Sequence, residues 1–377
     1  MPVRGRSARA ATRHGSAVPV AAAAVTVPPS VVTGTATGTW LTLGRDGRLT
    51  AYAPAGGGLL RWTETRPGGP GWSGPDLVEI RNLTHLAIVQ GADAYVHFLG
   101  RRERPRGDGA VEVDVVHAIQ YQSGRPVTEW RSLGNPHPQP DRARRFGAPA
   151  GAVASDGTVH VFAPNAGGGL MMRREGRGGR WEPWADLRGT DVRDGLAAAA
   201  TSDGRVEVFA PAGGAALHWF QPEPAAEPQR SHDVRPGPAA GSVAALETAP
   251  GRLTYFWTDP AGGGLICHRR GGWSVPLGGT PGDGANAVLR TVLDGYDCTV
   301  IAHRGRSGTV LVGVCATEAE SSGLWWTDTG LACAGDPALA HDGRGRVVVA
   351  AFDPGGTLRV ARRVPGPGLV LGEPAPV

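Results

Sequence analysis

Lysine is absent from the sequence: every one of the 38 basic residues is arginine. That excludes Schiff-base chemistry, a phosphate-loop lysine and a serine–lysine catalytic pair. Cysteine is scarce, and Cys267, Cys298, Cys315 and Cys333 show no CxxC spacing. Neither a zinc site nor a disulfide framework is signalled, and the thiols are expected to be free and buried. No apolar run approaches the ~18 residues that a membrane span needs. No acidic residue precedes Asp46, so Arg4, Arg6, Arg9, Arg13 and Arg45 account for the whole formal charge of +4 and the remainder of the chain is nearly neutral. A nucleic-acid groove, which needs a basic stripe interleaved with aromatics, is therefore not expected. GxSxG, HExxH and phosphate-loop motifs are missing too, so nothing asserts catalysis and no cofactor is called for.

What the sequence has in quantity is glycine, 59 residues, and proline, 32, a level at which disorder competes with a turn-dense β fold. Alternating apolar segments decide for the β fold. The segment Asp46-Gly-Arg-Leu-Thr-Ala-Tyr-Ala-Pro54 recurs as Asp156-Gly-Thr-Val-His-Val-Phe-Ala-Pro164 and Asp203-Gly-Arg-Val-Glu-Val-Phe-Ala-Pro211. Weaker copies begin at Asp93, Pro250, Asp294 and Asp342, giving spacings of 47, 63, 47, 47, 44 and 48.

Each unit reads as four strands: a first of small residues, an Asp-Gly turn, an alternating second, a glycine cluster, a third, and a fourth at or near Trp72, Trp130, Trp181, Trp273 or Trp325. Four strands of period two cannot bury both faces alone. Units of this length therefore stack around an axis, and seven of them predict an all-β, seven-bladed β-propeller of four-stranded antiparallel blades. The small first strand suits the crowded axis. The insertion Arg101 to Asp108 in the second unit is expected to be a solvated loop. Residues 36–377 are assigned to the propeller, and residues 1–35 to a disordered tail or signal-like segment that leaves secretion and the cytoplasm both open.

The unit Asp-Gly-Arg-Val-x-Val-Phe-Ala, a glycine cluster with Leu, then Gly-x-Trp-Ser, resembles the repeat of bacterial fucose-binding propeller lectins and, less closely, tectonin-type propellers. The resemblance spans about residues 38–372. It implies sugars held in clefts between blades, stacked on an aromatic face and fixed by arginine, glutamate or histidine. Carried over by position, it implies Trp72, Trp181 and Trp273 as aromatic faces, with Trp130 and Trp326 as looser matches, and Arg61, His218 and His268 as polar partners. The chain departs from the lectin repeat where an aromatic follows Gly-x-Leu: here stand Leu60, Met171, Leu217, Ile266 and Arg359. A few clefts at most are expected to be competent, with Arg61/Trp72 and His268/Trp273 the best preserved.

The residues support several functions. First is a multivalent, non-catalytic carbohydrate-binding propeller with glycans or small saccharides as partners, gaining avidity from several weak sites. Against it stand an enzyme (a lyase, hydrolase or natural-product cyclase) working at the mouth of the central channel, and a protein-interaction scaffold; self-association is open. The per-blade tryptophans also read as packing that closes adjacent sheets. The register Thr50, His97, His160, Glu207, Thr254 offers a His160–Glu207 pair as base and orienting group, or polar groups bonded within blade interfaces. Gln90 and Glu247 are expected along the channel.

Overall fold

The computed structural model describes residues 31–377 apart from Asp108 and Arg177. Seven sheets follow one another along the chain, six of four strands and one of five, and every adjacent pair is antiparallel except an added strand in the second sheet. The architecture is the seven-bladed propeller that the repeats predict. Among the described residues, helix is confined to Pro140–Arg144 and a single 3₁₀ turn, Glu320–Ser322.

The turn between first and second strands explains the recurrent aspartate. Asp46, Asp93, Asp156 and Asp342 each accept, at 2.9 to 3.1 Å, the backbone N–H two residues on. The side chain mimics a backbone turn and pins each hairpin. The arginine at the end of the turn then reaches across a blade boundary: Arg48 to Ser123 O, Arg205 to Gly251 O, Arg346 to Gly68 O. Small residues mark some of the innermost strands, at the extreme Ala197–Ala200 with alanine at every position, where seven sheets converge, whereas Leu41–Leu43 and Leu83–Gln90 carry larger side chains.

In each second strand, alternate side chains take opposite walls. Tyr52 turns toward blade 2, where its ring meets Phe98 edge-on at 5.0 Å, while Trp62, on the third strand, turns back toward Phe352 of blade 7 at 5.3 Å. The interfaces on both sides of blade 1 are thus layers of apolar side chains between two walls.

The insertion Arg101 to Asp108 is largely strand. The second and third strands of blade 2 run Val96–Pro105 and Val111–Gln120, and their paired positions carry opposite charges: Arg102 to Asp114 at 2.7 and 3.0 Å, Arg104 to Glu112 at 3.0 Å. Arg101 is buried and donates to Phe146 O and Arg144 O. The arginines zip a long hairpin, which accounts for the long second repeat.

Blade 7 takes its strands, Ala338–His341, Val347–Phe352, Leu358–Arg362 and Ala375–Pro376, wholly from the C-terminal end of the chain. The ring therefore closes on side chains. Trp40 lies 5.2 Å from Phe352, and buried Glu64 accepts from Arg362 at 2.8 Å while also receiving the Leu49 and Gly68 amides. The expected tail falls mainly on residues 1–30, which lie outside the described residues. From Val32 onward the chain is bonded: Val32 bridges Ala55 of blade 1, Thr35 Oγ1 donates to Asp336 of blade 7 at 3.0 Å, and Thr37–Gly38 adds a parallel strand inside blade 2. Gly38 has φ +78°, and a Cβ there would stand 2.3 Å from Ile88 O, so this inserted strand requires glycine.

Candidate ligand-binding clefts

Backbone pairing fixes which third-strand side chain faces the next blade. Arg61 is opposite Tyr52 in blade 1; the equivalent positions are His117 opposite Leu99, Met172 opposite Phe162, His218 opposite Phe209, Cys267 opposite Phe256, Val312 opposite Ala302 and Val360 opposite Ala350. Three of seven are polar. His268 lies opposite Tyr255 and so takes the other wall, facing back toward blade 4. His117, in the third strand displaced by the long hairpin, is the site position that reading by repeat spacing misses.

In the cleft between blades 1 and 2, the Arg61 guanidinium donates to Arg125 O and to Asp76 at 3.0 Å, and its buried Nε has no partner. Trp130, further along the loop that holds Arg125, packs 6.2 Å from Phe98. Trp72 stands elsewhere. It pairs directly with Glu64, so it shares the wall that faces blade 7, and it packs on the core of that seam. Arg61 and Trp72 are therefore not brought together.

Between blades 2 and 3, His117 Nε2 and His97 Nδ1 are 3.1 Å apart with their rings stacked at 5.3 Å, and Trp181 of blade 3 meets His117 edge-on at 5.3 Å. Burial pushes His97 down to about 4 and His117 to about 3, the charge of a protonated His97 adding to the second shift. Both rings are neutral at pH 7, so one nitrogen of the pair donates and the other accepts. His97 Nε2 is left without a protein partner.

Between blades 4 and 5, Glu207 accepts from His218 Nε2 at 2.7 Å and from the Tyr255 hydroxyl at 3.0 Å. Because a carboxylate only accepts, His218 Nε2 is the donor in this bond, and its buried Nδ1 has no protein partner. Burial, and then the Glu207 charge, hold the Tyr255 hydroxyl well above its ordinary range. His268 enters from the opposite wall, its Nδ1 also unpartnered, and burial followed by its proximity to His218 lowers it to about 4. The Arg270 guanidinium lies 4.0 Å above the Phe220 ring at the edge of this cleft. Trp273 is almost fully exposed nearby, where Ser274 donates to Arg235 O of blade 4.

The other interfaces are closed by packing. Trp219 and Trp326 donate their indole N–H groups to the outermost strand of the preceding blade, at Leu187 O and Leu277 O, as Trp184 also does at Leu133 O between blades 2 and 3. At Gly313, any Cβ would come within 2.7 Å of the Trp326 ring. His160 is buried with both ring nitrogens unpartnered, and it does not meet Glu207; burial lowers it to about 4.

The central channel encloses about 440 Å³, walled mostly by Ala, Gly, Leu and Val. Gln90 lies in that wall and is held by both the N–H and the O of Leu43. Glu247 instead caps the neighbouring turns through Ser202 and Gly251. Asp336 and His341, the ionisable groups of the wall, flank one extended strand and are separated by roughly 16 Å at the ordinary rise per residue. That span is too long for an acid–base pair. All four cysteines are free and buried.

No family model matches the chain, and no curated protein is detectably similar in sequence. Among solved structures, the BP39L lectin from Burkholderia pseudomallei superposes with a TM-score of 0.66 at 17% identity, covering 90% of this chain and 99% of that one. A mutant of AofleA from Arthrobotrys oligospora, with three of its own arginines replaced by alanine, reaches 0.50 at 10% identity, over 78% of this chain and 85% of that one. The Hadza microbial sialidase Hz136 reaches 0.48 at 13% identity, over 83% and 70%. That match, like those to further lectins and sialidases, falls below 0.5, where likeness of shape carries no argument. The chain has the fold of the bacterial propeller lectins.

Proposed function

We propose that the protein is a multivalent saccharide-binding propeller with three competent clefts, between blades 1 and 2, 2 and 3, and 4 and 5. The observation that carries this reading is the meeting, across a blade boundary, of a third-strand polar side chain with aromatic and imidazole groups of the next blade. Arg61 donates to Arg125 O in the loop that ends at Trp130, His117 meets Trp181, and His218 meets Tyr255, with His268 close enough to feel its charge. Each cleft also holds a buried nitrogen with no protein partner: Arg61 Nε, His97 Nε2, and the Nδ1 atoms of His218 and His268. A leftover donor or acceptor beside an aromatic wall is what a sugar hydroxyl and an apolar ring face can complete.

Trp72, whose cleft has Val360 at the polar position, is read as packing. The likeness to BP39L supports the fold on which such clefts arise. The enzyme reading has less support, because the channel wall lacks a paired acid and base among the described residues.

A glycan array followed by titration with fucose and related monosaccharides tests the proposal. Trp181→Ala should abolish one site and leave the others. A parent protein that binds no saccharide at all would end this reading.

A further inference from the structure

Strand polarity places the first-to-second hairpins and the third-to-fourth loops of every blade at one end of the propeller. Nearly all the large apolar side chains left exposed among the described residues stand at that end, and they gather on blades 5 to 7. Trp273 is 92% exposed in the third-to-fourth loop of blade 5, Val292 and Tyr296 (72%) flank the hairpin of blade 6, and Trp325 (79%) begins the outermost strand of blade 6. Val364 and Val370 close the loop of blade 7. Tyr121 shares that end on blade 2, and Val31 lies apart.

These loops form one surface. Gly368 N donates to Asp294 Oδ2 at 2.5 Å, and Arg363 lies 3.6 Å from the same carboxylate, so the blade 7 loop rests on the hairpin that carries Tyr296. Arg252 pairs with Glu318 at 2.6 Å, tying the blade 5 hairpin to the loop that leads to Trp325, and Arg269 bonds both Glu318 and Glu320. Arg290 and Asp297 pair at 2.6 Å. Trp326 turns inward to Leu277 O, which leaves its neighbour Trp325 outside the cleft between blades 5 and 6.

The charges flanking Tyr296 and Trp325 are thus neutralised within the surface, while Arg270, in the loop of Trp273, lies over the Phe220 ring. An anionic lipid surface is held by unpaired basic charge and a charged protein by complementary charge, neither of which these flanking pairs supply. Indole and phenol faces stack on the apolar faces of uncharged sugar rings. We propose that this end of blades 5 to 7 is an extended platform for a neutral polysaccharide chain, with Trp273, Tyr296 and Trp325 as its stacking rings. It rests on the reading of the protein as saccharide-binding, but not on the clefts being filled.

The test is affinity electrophoresis of the full chain through native gels containing a neutral β-glucan, a mannan or a xylan, run beside titration with fucose and mannose. Tyr296 and Trp325 are exposed and lie outside the three clefts, so the Tyr296→Ala/Trp325→Ala variant should keep the parent's Tm. At least one polymer should retard the parent, and the double variant should bind it at least tenfold more weakly with its monosaccharide titration unchanged. Absence of retardation by any of the polymers, or equal retardation of parent and variant, overturns the platform. If the monosaccharides still bind in that case, the clefts stand and only the platform falls. Ring-dependent binding to phosphatidylcholine vesicles, or ring-dependent self-association in sedimentation velocity, also overturns it in favour of a lipid surface or a second copy of the chain.

Discussion

His160 is a buried imidazole whose two ring nitrogens find no partner, in a protein where most buried polar atoms are bonded. Leaving such groups unsatisfied costs more than replacing them with apolar atoms of similar size. His160→Leu should therefore fold, and it should gain about 1 kcal/mol in urea unfolding at pH 7. A loss of several kcal/mol would show that the ring makes a bond essential to the blade 3 interface. The same chemistry sets a pH dependence. His97, His160 and His268 titrate near 4 and His117 near 3 in the folded chain, against an ordinary value of 6.5. Between these values the unfolded chain binds protons that the folded chain does not. Stability is then complete above about pH 6.5 and falls as pH drops toward 4, and the fall should be shallower in His160→Leu. Tm measured from pH 8 to 4 checks both slopes.

At the scale of strands and hairpins, the fold was legible and the walls were not. Aspartate at a hairpin, an alternating strand and a glycine cluster are local signals, and each has a local cause, as in the Asp46 and Asp156 turns. Which face a side chain takes depends on pairing register, and a slip of one residue reverses it. That is why His268 aligns with His218 by eye but occupies the facing wall, and why Arg61 and Trp72, neighbours in one repeat, serve different interfaces. His117 was hidden because paired charges such as Arg102 and Asp114 turned an expected loop into a long hairpin. Ring closure is likewise invisible locally, since Glu64 and Arg362 are at opposite ends of the sequence. Arg362→Ala leaves the buried Glu64 carboxylate without its counter-charge and should cost about 3 to 5 kcal/mol. Deleting residues 1–38 should lower Tm by several degrees, because the contacts of Val32, Thr35 and the Thr37–Gly38 strand go with them, whereas deleting residues 1–30 should not. Equal Tm values for the two truncations would remove the inserted strand from the account of closure.

For the whole molecule, seven quasi-equivalent interfaces carry unequal chemistry. Four have Met172, Cys267, Val312 or Val360 where the other three have Arg61, His117 or His218, so at this position a minority of interfaces carry a polar group. Sites that share no side chains should act independently. Weak single clefts on one rigid body can still give strong retention on a surface that displays many sugars. The most direct measurement is the stoichiometry of monosaccharide binding by isothermal titration, on the parent and on Trp181→Ala, with the sugar chosen by array. Three competent clefts predict about three sites per chain in the parent and one fewer in the variant, at unchanged affinity for those that remain. A single site per chain that survives in Trp181→Ala, or no saturable binding of any sugar, would contradict it.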